Sequence, residues 1–553
     1  MQAFDLKEEL KKILKGEVVD DAPTIEEFSR DASVCKVIPK IIVRPLDVED
    51  IKALVRFVGT YKKENSEAEA PLSLTMRSGG TDMTGGPLND SIIVDMTAHF
   101  QGIVGWKSEE TISVLPGTFY RDFEKETLSH GRFMPSYPAS KNICTVGGIV
   151  SNNSAGEKTL TYGQTIDYVE SLKVVLSDGN EYELQALTPV ELQQKILQKD
   201  VEGAMYAKLW KLISDNEAAL EAARPKTAKN SAGYFLWRVF DKEKGTFDLV
   251  KLFVGSQGTL GIVTEITFRT VPKKKYSKML TVFMPTLDRI GDMVNDILPY
   301  GPESLESYDE ATLKLAIKYF PDLIKKGHGI DALRLIYEFI PEFWISITGG
   351  FPKLVMLIEF CGDNEAELLG KITLLRNDLK KYPVKMHIVG TEEESKKFWT
   401  IRRESYNLLR MHGAGKKVAV FIEDVVVPPA SLPQFLPELR AILNEYSLTY
   451  SIAGHAGSGN FHVFPLMDFN APRHKDEILE ISDKVYDLVL KYGGSITAEH
   501  SDGIVRTPYL ERMYGTKIVE VFQATKHIFD PDNIFNPGKK VGGTKAYFLS
   551  HIV

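Results

Sequence analysis

Only three of the 553 residues are cysteine, at positions 35, 144 and 361, and no two of them form a CxxC pair. That spacing suits neither a disulfide framework nor a thiolate-held zinc or iron–sulfur centre, and it makes a reducing compartment, the cytoplasm, the expectation. Clustered basic charge is equally scarce. The net charge is −8 and the densest lysine run, Lys273 to Lys275, is too short to neutralise a phosphate backbone, which excludes a nucleic-acid partner. Long apolar runs are missing too. The opening MQAFDLKEELKKILKGE has helical spacing but too many charges for a signal peptide or a membrane span, and is expected to be a surface helix.

What is present is an ordinary globular composition, 43% apolar and 26% charged, long enough for two or three domains with a large buried core. KIIVRP (40–45) reads as a buried strand and Val48 to Tyr61 as an amphipathic helix. Leu72 to Arg77 and Ser91 to Met96 are short strands. Period-2 alternation dominates from Gly102 to Gln185, with Asp178-Gly179 as a hairpin turn. A helical stretch, 188–223, leads to LVKLFVGSQGTLGIVTEITFRT (249–270), expected as strand, glycine turn, strand. Val271-Pro272 and the lysine run mark a domain boundary. Beyond it, Lys278 to Met284 and Lys353 to Phe360, each followed by a helix, form two similar strand-helix units; no repeat rises above that level.

Three glycine-rich segments stand in the first half: SGGTDMTGG, TVGGIVSNNSAGEKTLTYG and GSQGTLG. Glycine permits positive φ and close approach of the backbone, so that successive N–H groups can hold phosphate oxygens of a dinucleotide. None is a GxGxxG loop opening a helix with an acidic residue beyond it, and none is a GxxxxGK[ST] loop, which disfavours nicotinamide and ATP.

The strings PLSLTMRSGGTDMTGG, PGTFYRDFEKETLSHGRFMPSYPASKNICTVGGIVSNNSAGEKTLTYG and FVGSQGTLGIVTEITFR resemble the FAD-binding domain of vanillyl-alcohol oxidase type flavoproteins. GHAGSGNFH, GGSITAEHSDG and FDPDNIFNPGKK resemble the C-terminal domain of FAD-linked oxidases such as D-lactate, glycolate and D-2-hydroxyglutarate dehydrogenases. The resemblance implies an α+β fold: a two-part FAD-binding domain of that type over residues 1–274, an α+β, ferredoxin-like substrate or cap domain over 275–510, and a C-terminal segment, 511–553, returning to the FAD domain. It places the pyrophosphate against Arg77, Ser78, Gly79, Gly80, Thr81, Gly85 and Gly86. Pro138, Ala139, Thr145, Gly147, Gly148, Asn152, Gly156 and Tyr162 line the rest of the flavin cleft, and Gly258, Thr259, Gly261, Ile262 and Val263 wall one side. Several relatives bond the flavin covalently through a histidine where this chain has Thr81, so the FAD is expected to be dissociable.

His455 and His462 flank a loop of Gly, Ala and Ser, and Glu499-His500 lies 37 residues beyond the second of them. Two imidazoles and a carboxylate leave open positions on a divalent metal. By the resemblance His455, His462 and Glu499 are the ligands, of Zn2+ with Mn2+ or Fe2+ as alternatives, and His500 is the catalytic base. Some relatives carry Asn two residues after the second ligand histidine; Phe464 in its place argues against a diacid and favours D-lactate. In FWTIRRESYNLLRMHGAGKKVAV, Arg402 and Lys417 fall where the family binds the substrate carboxylate, and an arginine offers it a bidentate fork.

The implied reaction is oxidation of a D-2-hydroxy acid to the 2-oxo acid: His500 takes the hydroxyl proton as the Cα hydride passes to flavin N5. Electrons then leave for a quinone, an electron-transfer protein or oxygen. Two rivals share the fold: a non-redox FAD enzyme of the alkyl-glycerone-phosphate synthase type, and a flavin subunit of a glycolate oxidase-like complex whose iron–sulfur clusters come from a partner. A homodimer is a further expectation. Leu333 to Phe351, LRLIYEFIPEFWISITGGF, either fills the second domain's core or forms a peripheral membrane or quinone-docking surface.

Overall fold

The computed structural model describes residues 5–65, 71–318, 351–411 and 416–553. Ile41–Arg44, Ile92–Asp95 and Leu74–Arg77 form a parallel sheet, edged by the antiparallel Glu17–Val19. The crossover is the helix Val48–Glu64. It starts where the Asp47 carboxylate accepts the N–H groups of Glu49 and Asp50, and it buries Ile51, Leu54, Val55 and Val58 at helical spacing against the sheet. This βα unit is the one expected from the sequence.

A second, seven-stranded sheet is antiparallel throughout, with Val169–Val175 and Glu181–Leu187 joined at Asp178-Gly179, where Gly179 has φ +74°. Its interior strand Ile262–Arg269 alternates buried and half-buried residues, as period 2 requires. The segment before it differs from expectation. Val250–Phe253 is a helical turn rather than a strand, because the Asp248 carboxylate accepts the Val250 N–H and starts it.

The two strand-helix units beyond the lysine run belong to one βαββαβ motif. Tyr276–Met284, the helix Ile290–Ile297, Ser304–Asp309, Leu354–Gly362, the helix Glu365–Asp378 and Lys385–Ile388 come in that order, with the helix Glu310–Lys318 between the second and third strands, and the strands are ordered fourth, first, third, second. The same connectivity then recurs through Val425–Val426, the helix Leu432–Glu445, Thr449–His455, Asn460–Met467, the helix His474–Lys491 and a bridge at Ser495. The two motifs join edge to edge at Ser307↔Gly454 and Tyr308↔Ala453, giving one extended sheet. This duplication left no trace in the sequence pattern, because it is one of connectivity rather than of side chains.

The chain end returns to the first sheet. Leu74 N–H donates to Ile534 O, Asn536 N–H to Leu74 O, and the Asn536 amide to the carbonyls of Gly86 and Gln257. No helix among the described residues is long and apolar enough to cross a membrane. Of the aromatic run 333–351, all but Phe351 lies outside the described residues.

Candidate active site

The glycine-rich segments meet in an open cleft lined by Arg77, Ser78, Gly147, Gly258, Gly261 and Val263, together with Met76, Ser151 and Ser256. The loop after Leu74–Arg77 is shaped for an anion. Gly80 has φ +63°, and a Cβ there would stand 2.6 Å from the Arg77 guanidinium, which packs over Phe28 beneath the loop. Among the described residues, the N–H groups of Ser78, Gly79, Gly80 and Thr81 meet no protein acceptor, as a nest for pyrophosphate oxygens requires. The Thr145 hydroxyl ties the second glycine segment to this loop by donating to Ser78 Oγ at 2.6 Å.

Gly85 and Gly86 close the loop instead of facing the anion: their N–H groups donate to Asp31 and Asp82. The Asn152 amide donates to the same Asp82. Thr259 and Ile262 turn their side chains into the core, Thr259 against Tyr234 Oη at 2.6 Å. Gly156 is needed for packing, since a Cβ would lie 2.1 Å from Tyr137 O. Pro138 and Ala139 begin the turn leading to Thr145, and Tyr162 faces the second domain, its hydroxyl donating to Glu303 at 3.4 Å. Because Thr81 offers no nucleophilic ring nitrogen, acid precipitation should release the FAD into the supernatant; flavin fluorescence staying with the pellet would contradict this.

The second constellation is built on the hairpin Thr449–His455 and Asn460–Met467. Its tight turn depends on Gly459, at φ +73°, where a Cβ would stand 1.9 Å from Val427 O. His455 and His462 project from its two strands with rings 5.2 Å apart. Glu499 and His500 arrive on the turn before Gly503, which is stitched to the flavin loop: Gly503 N–H donates to Gln257 and Ile504 N–H to Thr84 O. Folding therefore sets the histidines beside the flavin cleft.

Three imidazoles converge on one oxygen, with Glu499 Oε1 lying 3.2 Å from His455 Nε2, 3.4 Å from His462 Nε2 and 3.8 Å from His500 Nε2. Each ring is oriented from behind. His455 Nδ1 meets Glu306 at 2.7 Å, His462 Nδ1 meets Glu423 O at 3.0 Å, and His500 Nδ1 meets the Glu423 carboxylate at 3.2 Å. A backbone carbonyl only accepts, so neutral His462 carries its proton on Nδ1 and aims the Nε2 lone pair at an ionised carboxylate. Burial lowers the His462 pKa, which disfavours a second proton there. Two facing lone pairs call for a cation between them, and this donor set fits a divalent metal.

Asp424, His462, Glu499 and His500 bring ligand atoms within 4.8 Å of one another, with His455 beside that set at 3.2 Å from Glu499, but the oxygens of Asp424 are engaged elsewhere. Oδ2 accepts from the Thr497 hydroxyl and the N–H groups of Ala498, Glu499 and His500, and Oδ1 from Asn460. It holds the 497–500 turn. Burial opposes the charge on Glu499, yet Lys229 and His455 hold it well below the usual carboxylate range. Burial likewise opposes the charge on His500, but Asp424 and Glu423 push it up to about 9. A cation beside it would offset that pull and favour the neutral ring that a base requires.

Arg402 is buried in the same network, its Nε donating to Glu306 at 3.0 Å, so it stands behind His455. Arg403 turns the other way, to Glu157 on the flavin side, as adjacent helical positions must. Lys417 is not brought to the cluster. It is exposed, its ammonium lies over Phe469, and its partner Met467 points to the face of the strand opposite His462.

Sequence reasoning missed Lys229, Glu306, Glu423, Asp424 and Arg506. Lys229 is fully buried, 2.8 Å from Glu499 Oε2, and Arg506 pairs with Glu423. Four carboxylates, Glu306, Glu423, Asp424 and Glu499, thus face three fixed cations, Lys229, Arg402 and Arg506, leaving one net negative charge when the imidazoles are neutral. A second acidic group, Glu303, Glu359 and Cys361, is bridged by Lys158 and serves as a link between the flavin-binding part and the extended sheet.

A flavin-type cradle beside a buried histidine–carboxylate cluster defines the class. Residues 39–185 match the FAD binding domain and residues 273–540 the C-terminal domain of FAD linked oxidases. The chain thus carries both domains of the FAD-linked oxidases, and it is similar over most of its length to proteins named as D-2-hydroxy-acid dehydrogenases. It is 29% identical to a D-2-hydroxyglutarate dehydrogenase of Pseudomonas putida, over 95% of this chain and 50% of that protein. It is 28% identical to glycolate oxidase subunit GlcD of Bacillus subtilis, over 97% of this chain and 96% of the subunit. It is 26% identical to a D-lactate dehydrogenase of Archaeoglobus fulgidus, over 95% and 98%. The chain spans about half the length of the D-2-hydroxyglutarate dehydrogenases it matches. Its fold is that of 4-ethylphenol oxidase from Gulosibacter chungangensis (TM-score 0.68, 14% identity, 98% and 97% covered) and of p-cresol methylhydroxylase (0.66, 15%, 97% and 96%), vanillyl-alcohol oxidase type flavoenzymes.

Proposed function

We propose that this chain oxidises a D-2-hydroxy acid with a small or apolar side chain, D-lactate first, to the 2-oxo acid. The observation that carries the reading is the convergence of three imidazole nitrogens on one oxygen of Glu499 beside the flavin loop. His455, His462 and Glu499 would hold a divalent metal, and the nest from Ser78 to Thr81 would hold the FAD pyrophosphate. When bound, the flavin accepts the Cα hydride and the metal acidifies the substrate hydroxyl.

The chain's own residues do the rest. His500 is the least buried ring of the cluster, its side chain 18% exposed, and with Nδ1 held by Glu423 it presents Nε2 as the base for the hydroxyl proton. Arg402 fixes Glu306 and through it His455. With a divalent cation the ionic group turns from one net negative charge to one net positive charge, which draws in a single carboxylate. Phe464 stacks on His462 at 6.0 Å and meets Tyr406 at 5.3 Å, an aromatic wall whose rings themselves offer a second carboxylate no charge to pair with.

Anaerobic mixing with D-lactate, L-lactate, glycolate and D-2-hydroxyglutarate tests the reading. D-lactate is expected to bleach the flavin at least about ten-fold faster than the diacid, which must bury an unpaired charge. Faster bleaching by D-2-hydroxyglutarate would overturn the side-chain assignment alone; no bleaching by any of them would overturn the activity. The similarity to GlcD over nearly that subunit's whole length favours a second reading, a flavin subunit that hands its electrons to a partner protein.

A further inference from the structure

We infer that Lys229 is an electrostatic counterweight to the metal: a buried charge that withholds one oxygen of Glu499 and loosens the cation in order to strengthen the pull on the substrate carboxylate. The inference rests on the metal reading above. Lys229 comes from a loop in the flavin-binding half, 270 residues from Glu499, and its side chain is fully buried. Its ammonium lies 2.8 Å from Glu499 Oε2 and 3.3 Å from Asn460 Oδ1. The other oxygen, Oε1, is the one facing the three imidazoles.

The loop is anchored so that the lysine cannot swing away. Asn230 N–H donates to Gln164, Ser231 N–H to Thr497 O, and Gly233, at φ +66°, donates to Asp502. A Cβ on Gly233 would stand 2.4 Å from the Phe522 ring, so this path is specific to glycine. Two consequences follow from a fixed cation at that place. Glu499 offers a single oxygen to the site, and a divalent ion must settle beside a like charge, which weakens its binding. The same charge keeps the loaded site net positive; without it the group with its divalent ion would be neutral and would attract a carboxylate less. A merely structural lysine would, when lost, loosen metal and substrate together. A counterweight moves them in opposite directions.

The test uses the FAD-loaded protein, stripped with a chelator and titrated with Mn2+ alone, the free ion being followed by electron paramagnetic resonance. Lys229→Gln keeps a donor for Oε2 and removes the charge. It should bind Mn2+ at least about ten-fold more tightly than the wild type while its KM for D-lactate rises at least about ten-fold. Equal or weaker Mn2+ binding by Lys229→Gln, with one Mn2+ bound per wild-type chain, overturns the inference and leaves the metal reading standing. If the wild type itself binds no Mn2+, the metal reading falls and the inference with it, so the two failures are told apart. Should Lys229→Gln not retain FAD, Lys229→Arg carries the test: Mn2+ affinity and KM within about three-fold of wild type are expected, and loss of Mn2+ binding counts against the role.

Discussion

His500→Ala is expected to slow flavin reduction by D-lactate on the order of a hundred- to ten-thousand-fold, the usual contribution of a general base, while FAD and divalent metal stay bound. Of the three rings around Glu499 Oε1, His500 is the farthest, at 3.8 Å, and the most exposed. Glu423 holds its Nδ1, and Arg506 together with burial keeps that carboxylate in place. Stopped-flow reduction separates the step from binding: the limiting rate should collapse with little change in its half-saturating substrate concentration. An unchanged limiting rate would move the proton to another group, and loss of metal would make His500 a ligand instead.

Glu499→Gln is expected to give the opposite signature. Metal content after gel filtration should fall with an affinity loss of about a hundred-fold or more, because the neutral amide leaves the His462 lone pair without its charged neighbour and Lys229 without its charged partner. The flavin should remain, since the nest from Ser78 to Thr81 belongs to a different part of the chain. His455→Ala should lose metal in the same way and would also take from Glu306 its imidazole partner, leaving its contact with Arg402. If either variant keeps full turnover after chelation, the histidine hairpin is a structural turn.

The glycine-rich loops and the histidine hairpin were legible because each announces itself locally. Gly80, Gly179 and Gly459 stand at positive φ in turns that exclude a side chain, and histidines around a glycine loop are rare enough to notice. Residues that act through long-range pairing were not legible. Lys229 meets Glu499 across 270 positions, Arg402 meets Glu306 across 96, and Arg506 meets Glu423 across 83, and no spacing rule reaches so far. Sequence proximity also misleads. Lys417 follows Arg402 by fifteen residues, yet its register opposite Met467 sends it to the far face of the sheet. Gly85 and Gly86 belong to the right loop, but the carboxylates of Asp31 and Asp82 use their N–H groups. The repeated βαββαβ connectivity was hidden for a related reason: a duplicated topology needs only apolar alternation, which unlike sequences supply equally well.

The most direct measurement is anaerobic D-lactate reduction of the protein-bound flavin before chelation, after chelation and gel filtration, and after return of Zn2+ or Mn2+. Bleaching is expected in the first and third states and none in the second, with the 2-oxo acid formed in equal amount to the flavin reduced. Undiminished bleaching by the chelated protein, or no bleaching by any D-2-hydroxy acid with metal present, would contradict it.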